Sequence, residues 1–258
     1  AWLAFHMKVP IAHIEAGLRT HNKYSPFPEE MNRVLISHMA DTHFAPTETA
    51  KENLLQEGIE EKDILVVGNT AIDTLLETKN NLKIEEEITK SDKKIILVTA
   101  HRRENFGEGL KQICEALKEI VANNKDVEIV YPVHANPNVS GVVKEALNSI
   151  KNIHLIEPVA YDKMIQLMSK AHIILTDSGG LQEEAPSLNK PVLVMREETE
   201  RTEGLNAGTS KLVGVEKNKI VQAVEELLRD KQSYNEMASA KNPYGDGHAS
   251  ERIVSEIL

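Results

Sequence analysis

The chain has one cysteine, no excess of positive charge and no long apolar run, and each shortage closes off a class of function. Cys114 has no partner for an intramolecular disulfide, so a reducing compartment is expected, with the cytoplasm as its natural setting. A net charge of -10 over 258 residues argues against non-specific nucleic-acid binding, while leaving room for a local basic pocket. Mean hydropathy is -0.34, and no run approaches the ~20 apolar residues of a membrane span, so no membrane partner is expected. Within these residues no signal-peptide or lipidation motif is visible. A Walker A motif and a G-x-G-x-x-G fingerprint are both absent. His6, His13, His21, His38 and His43 are too irregularly spaced for a zinc site, and neither a metal nor another cofactor is expected.

What is present is a repeated alternation of short apolar runs with amphipathic helical patterns. Strands are predicted at 9–14, 64–67, 94–99, 127–133, 153–156, 172–176, 191–195 and 211–213. Several are rich in Val and Ile without polar alternation, as in parallel strands buried on both faces. The clearest helices are predicted at 109–123 and 216–230; in the second, Ile220, Val221, Val224, Leu227 and Leu228 make one apolar stripe. The alternation predicts an α/β fold with open parallel sheets. Six strands between 94 and 213 suffice for a complete nucleotide-binding domain, whereas residues before about 67 supply only two or three. The acidic stretch 79–93 reads as a surface helix between domains, and 250–258 as a short terminal helix. Residues 1–7 read like the end of a helix already under way, so an upstream part is expected.

The strand-to-helix junctions carry the chemistry. The run 171–176 ends in Asp177, Ser178, Gly179 and Gly180, and a helix-compatible segment with Glu183 and Glu184 follows. Such a turn aims helix N-terminal N–H groups at open space, where an anion can sit and the glycines permit its close approach, or it is an ordinary glycine turn between strand and helix. Glu184, one helical turn past Gly180, can reach sugar hydroxyls. After the strand at 94–99 come His101, Arg102 and Arg103, a set able to cradle phosphate or to serve as a solvated loop. His134 sits at a third junction and reads equally as a ligand-binding, core or capping histidine. Arg196 and the charged run 197–203 follow a fourth strand, as a functional loop or a solvated face. Near the start, Glu15 ends a strand and Glu29 opens a helix. Glu29 is a first-turn acid favoured by the helix dipole, or the two acids from adjacent loops transfer protons.

Taken together, these residues resemble the non-hydrolysing UDP-N-acetylglucosamine 2-epimerases. The similarity runs through His-Ile-Glu-Ala-Gly-Leu-Arg-Thr at 13–20, Pro-Glu-Glu-x-Asn-Arg at 28–33, Ala-Pro-Thr at 45–47 and Gly-Asn-Thr at 68–70. It continues through His-Arg-Arg-Glu-Asn at 101–105, Pro-Val-His-x-Asn-Pro at 132–137 and Asp-Ser-Gly-Gly-x-Gln-Glu-Glu-Ala-Pro at 177–186. Thr-Glu-Arg at 199–201 and Asn-Pro-Tyr-Gly-Asp-Gly at 242–247 complete a collinear set.

The resemblance implies a GT-B-type pair of Rossmann-like domains with the UDP-sugar in the cleft. Residues 1–67 would be a partial N-terminal domain, 68–241 the UDP-binding domain, and 242–258 a helix returning to the first. Ser178, Gly179 and Gly180 would bind the diphosphate, with His101 and Arg201 nearby, and Glu184 the ribose. The backbone around Val159 and the side chain of Met164 would face the uracil, where the family usually carries an aromatic residue; Met164 can still cover a ring face. Glu15 and Glu29 match carboxylates of the chemistry, with His101 beside them, and Arg102 and His134 match positions for an activating second UDP-sugar. The implied reaction removes the C2 proton and expels UDP, giving 2-acetamidoglucal, then re-adds UDP with C2 protonated on the opposite face.

A homodimer is implied as well. The family's Gly-x-Arg-Pro-Glu segment and Gly-Asp-Thr turn are absent here, so these 258 residues alone are expected to show little epimerase activity. Retention of 242–247 and of the full 101–105 motif favours the non-hydrolysing branch over a hydrolysing epimerase releasing N-acetylmannosamine and UDP. A GT-B glycosyltransferase and a non-catalytic UDP-sugar-binding protein are the remaining readings.

Overall fold

A computed structural model of the chain describes residues 1–24, 27–82 and 92–258. By its internal contacts the chain divides into two units: Ala1–Leu76 with Pro243–Leu258, and Glu77–Asn242.

The first unit contains helix α1 (Trp2–His6), strand β1 (Ala12–Ile14), α2 (Glu29–Ser37), β2 (Thr42–Ala45), α3 (Glu48–Gln56) and β3 (Ile64–Val66). The three strands pair in the order β1-β2-β3, all parallel, with His13 opposite His43 and Phe44 opposite Leu65. Strand β2 is an addition to the sequence expectation. Thr and His made its four residues look polar, yet His43, Phe44 and Ala45 are all buried. Ala16, Ala45, Ala50, Leu54 and Ile64 form the core on which α3 rests. Gly17 (φ +85°) permits that approach: a Cβ there would stand 2.0 Å from the Ala50 carbonyl oxygen. Thr47 caps α3, its hydroxyl accepting from the Ala50 N–H at 3.1 Å.

Helix α4 (Thr70–Asn81) leads toward the second unit, and its Asp73 carboxylate accepts from the N–H groups of Ala249 and Ser250. The predicted helix at 79–93 is seen only as the end of α4; residues 83–91, like Pro26 of the loop before Glu29, lie outside the described residues.

In the second unit β4 (Lys94–Thr99), α5 (Glu108–Asn123), β5 (Val127–Pro132), α6 (Pro137–Leu147), β6 (Ile153–Ile156) and α7 (Tyr161–Lys170) come first. They are followed by β7 (Ile173–Thr176), α8 (Gly179–Glu184), β8 (Val192–Val194), α9 (Thr202–Asn206), β9 (Ser210–Leu212), α10 (Lys217–Arg229) and α11 (Lys231–Ser239). The last helix, α12 (Ala249–Ile257), belongs to the first unit.

The six strands run parallel in the order β6-β5-β4-β7-β8-β9. The expected apolar stripe of α10 is the buried face: Ile220, Val221, Val224 and Leu227 join the core, with Leu228 packed at its edge. Burying each such side chain stabilises the fold by about 1.5–3 kcal/mol. Cys114, on α5, is buried too, and burial pushes its thiol up to about 11, which suits packing rather than reaction. Among the described residues no helix is long and apolar enough to cross a membrane.

Candidate nucleotide-sugar site

The chain leaves β4 toward β5 and β6 on one side, then returns to lay β7, β8 and β9 on the other. The reversal falls between β4 and β7, and open α/β sheets bind ligands at the carboxyl ends of the strands at such a point. Thr99 and Thr176 pair at those ends and share a hydrogen bond of 2.6 Å between hydroxyls. Immediately beyond them lie His101 and Arg102 on one loop and Asp177, Ser178 and Gly179 on the other.

Asp177 ties the two loops together. It is fully buried, and its Oδ2 accepts from the N–H groups of His101 and Arg102 at 2.8 Å each and from Asn105 Nδ2 at 3.1 Å. Burial pushes its carboxyl upward, but the bonds from His101 and from these N–H groups outweigh that and hold it below its ordinary value. Asn105, buried as well, also donates to the Met195 carbonyl at 3.1 Å, binding the end of β8 into the same knot. Neither residue was singled out as a site residue from the sequence. The only available signal was an acid and an amide at the ends of successive strand-to-helix junctions.

Ser178 stands at the N-cap of α8 without turning its side chain back, so the first N–H groups of the helix have no side-chain cap. Gly179 is buried against two guanidiniums: a Cβ there would meet Arg201 Cζ at 3.2 Å and Arg102 Nη2 at 3.5 Å. Gly180 is exposed. Arg201 is held by Glu183 at 2.8 Å and Glu200 at 2.6 Å. Glu200 also pairs with Arg196 at 2.8 Å, and Arg196 with Glu104 at 2.7 Å. In the charged run after β8, Arg196, Glu200 and Arg201 are thus interlocked, while Glu197 and Glu198 are exposed. Burial raises the Glu200 carboxyl, but a hydrogen bond from its own backbone N–H and the charges of Arg201 and Arg196 more than offset this, so its value is lowered. Two forked cations beside uncapped N–H groups form a site for a bulky anion.

Glu184 lies at the end of α8. Burial pushes its carboxyl up to about 7, with Glu183 adding to the rise and the hydrogen bond from Tyr161 opposing it. The Tyr161 hydroxyl donates to Glu184 Oε1 at 3.2 Å. Tyr161 opens α7 one turn before the half-buried Met164, with Val159 in the preceding loop. It supplies an aromatic ring that the sequence reading did not place there. His134 is exposed beyond β5, and its ring stacks on His101 with centroids 5.5 Å apart and 13° between planes.

The two acids near the start belong to the first unit. Glu15 follows β1, is exposed, and adopts φ +63°, a left-handed conformation that L side chains rarely hold. Glu29 is exposed in the first turn of α2, while its neighbour Glu30 is buried and accepts from the N–H groups of Thr20 and His21. Arg19, two-pronged on Glu57 and bonded to Ser37, braces the same loop. Burial, followed by repulsion from His43, pushes His13 down to about 4, so this half-buried ring stays neutral near pH 7. Among the described residues no group of three or more His, Cys, Asp and Glu side chains is placed to hold a metal.

Parallel sheets, with guanidiniums gathered at the strand reversal of the larger one, place the chain among α/β proteins of Rossmann-like fold, and its structural neighbours are of the GT-B type. The family model described as UDP-N-acetylglucosamine 2-epimerase matches residues 1–258. The Escherichia coli K12 UDP-N-acetylglucosamine 2-epimerase is 50% identical over 264 residues, covering 98% of this chain and 70% of its own. The crystal structure of the Neisseria meningitidis UDP-GlcNAc 2-epimerase bound to UDP-GlcNAc is 48% identical with a TM-score of 0.93, covering 100% of this chain and 72% of its own. The S. aureus MnaA–UDP co-structure is also 48% identical, with a TM-score of 0.92 and coverage of 99% and 70%. The chain therefore belongs to the UDP-N-acetylglucosamine 2-epimerase family.

Proposed function

We propose that the protein interconverts UDP-N-acetylglucosamine and UDP-N-acetylmannosamine without net hydrolysis. The observation that carries this reading is the pair of guanidiniums flanking Gly179 beside the uncapped start of α8. In this reading Ser178, Gly179, Gly180, Arg201 and His101 take the diphosphate, and Glu184 accepts from the ribose hydroxyls. The backbone near Val159, with Met164, covers the uracil. Arg102 and His134 take a second, activating UDP-sugar.

The reaction removes the C2 proton and breaks the bond from C1 to the diphosphate oxygen, leaving 2-acetamidoglucal and UDP. The cations stabilise the charge developing on UDP and keep it from diffusing away. UDP then re-adds at C1 while C2 receives a proton on the opposite face. Glu15 and Glu29 serve as acid and base. Strain at Glu15 supports its assignment, because an L residue is kept in the left-handed region where the position of its side chain matters. Since the chain spans about 70% of the length of these relatives, the proposal includes slow turnover by the 258 residues alone, and a homodimer as the working assembly.

The test is proton NMR of UDP-N-acetylglucosamine incubated with the protein, both as the 258-residue chain and in a form extended to the length of the relatives. Accumulating UDP-N-acetylmannosamine supports the reading. Free N-acetylmannosamine with UDP would assign the hydrolysing reaction instead. UDP binding without turnover by the extended form would leave a binding protein, and equal turnover by both forms would overturn the expected deficit of the shorter one.

A further inference from the structure

His101 is bracketed by two fixed groups. Its Nδ1 lies 3.2 Å from Asp177 Oδ1, and its ring lies flat against His134. The second carboxylate oxygen, Oδ2, is occupied by the three donors from His101, Arg102 and Asn105. Oδ1 is buried without a formed hydrogen bond, and His101 Nδ1, at 3.2 Å, is the ring nitrogen that stands against it among the described residues. A buried carboxylate oxygen is costly unless something donates to it. Because its donors hold Asp177 ionised, it can only accept. His134 is set the opposite way: its Nδ1 accepts from the Asn136 N–H at 3.1 Å, which places its proton on Nε2 when the ring is neutral.

We propose that Asp177 is a positioning residue that holds neutral His101 in the Nδ1–H tautomer, leaving Nε2 as a proton acceptor. This rests on the reading in which His101 touches the UDP-sugar. The partner of one imidazole nitrogen dictates what the other can do. With Nδ1–H anchored on a carboxylate, Nε2 can take a proton, and the resulting cation is backed by Asp177 as it faces the diphosphate. The two stacked rings then carry opposite tautomers, so His134 cannot substitute for His101.

Asp177→Asn is a near-isosteric test whose outcome the geometry dictates. Three donors converge on Oδ2, so the amide keeps its oxygen there and turns its NH2 toward His101 Nδ1. That forces His101 into the Nε2–H tautomer. Imidazole 15N–1H correlation NMR of the 258-residue chain, about two units above the ordinary histidine pKa, reads this directly. His101→Gln identifies the signals.

In the wild type His101 is expected to show a protonated Nδ1 and a bare Nε2, with His134 the reverse. In Asp177→Asn the His101 pattern inverts and that of His134 stays. If the variant does not fold, the wild-type spectrum decides alone. A protonated Nε2 with a bare Nδ1 on His101, or averaging between the tautomers, overturns the proposal, as does an unchanged pattern in a folded Asp177→Asn. Titration with UDP tests the other reading separately: His101 signals that stay fixed at saturation remove His101 from the diphosphate site and leave its tautomer assignment standing.

Discussion

The two units handle charge in opposite ways. In the second, Arg102, Arg196 and Arg201 are cross-braced by Glu104, Glu183 and Glu200, and a buried aspartate fastens two loops from beneath. In the first, Glu15 and Glu29 stand in solvent, while the braced groups Arg19 and Glu30 shape the loop between them. Under the proposed function the contrast matches two different tasks. Groups that hold an anion work best when their geometry is set before the ligand arrives. Groups that move protons must come within hydrogen-bond reach of the reacting atom.

The largest effect expected from this division is on turnover. Glu15→Gln removes the proposed proton-transfer group, and kcat for the active form should fall about 10²–10⁴-fold while UDP affinity stays within about twofold. A parallel loss of UDP affinity would blur the contrast. In the second unit the reverse pattern is expected. Arg201→Ala removes charge-assisted bonds of about 1.5–3 kcal/mol, weakening UDP binding by roughly 10–100-fold in titration calorimetry.

A smaller effect comes from Glu184, whose carboxyl sits at about 7. In the proposed role only the ionised form accepts from both ribose hydroxyls, so affinity should fall as pH drops through 7 and be up to about tenfold weaker at pH 6 than well above pH 7. UDP titrates over the same range, so Glu184→Gln is the control; an equal pH slope in both would remove Glu184 from the site. Gly179→Ala crowds the Arg201 and Arg102 side chains, which can swing aside. It should cost several-fold in UDP affinity with little change in Tm, and a large drop in Tm would show that the glycine is needed for folding instead.

Much of the fold was legible because it rests on local pattern. The Val- and Ile-rich runs became the six-stranded sheet, and the α10 stripe became its buried face. Strand β2 escaped because four residues beginning Thr-His carry too little apolar signal, and its burial comes from neighbours on both sides. Ser178, Gly179 and Gly180 could be placed at a strand-to-helix junction from the sequence because the apolar run before them and the helical pattern after them are both local. The roles of Asp177 and Asn105 could not be read, since their partners lie 72 to 90 residues away and only the folded sheet brings them together. Glu29 and Glu30 are chemically alike and differ only in which face of α2 each occupies. Nothing in the residue type reveals that Glu15 holds a left-handed backbone.

That backbone gives the smallest predicted effect. Glu15→Gly relieves a conformation costing an L residue about 1–2 kcal/mol, partly offset by the entropy of glycine, so the variant should unfold no more easily than wild type and up to about 1 kcal/mol less easily. It should also lose turnover. Destabilisation by more than about 1 kcal/mol in denaturant unfolding would mean that the Glu15 side chain supports the fold and is not held there for chemistry.

The division between holding and reacting is tested most directly by UDP calorimetry on three forms of the 258-residue chain: wild type, Arg201→Ala and Glu15→Gln. The account predicts that wild type and Glu15→Gln bind UDP equally, and that Arg201→Ala binds at least tenfold more weakly. Absence of UDP binding, wild-type affinity in Arg201→Ala, or an equal loss in Glu15→Gln would contradict it.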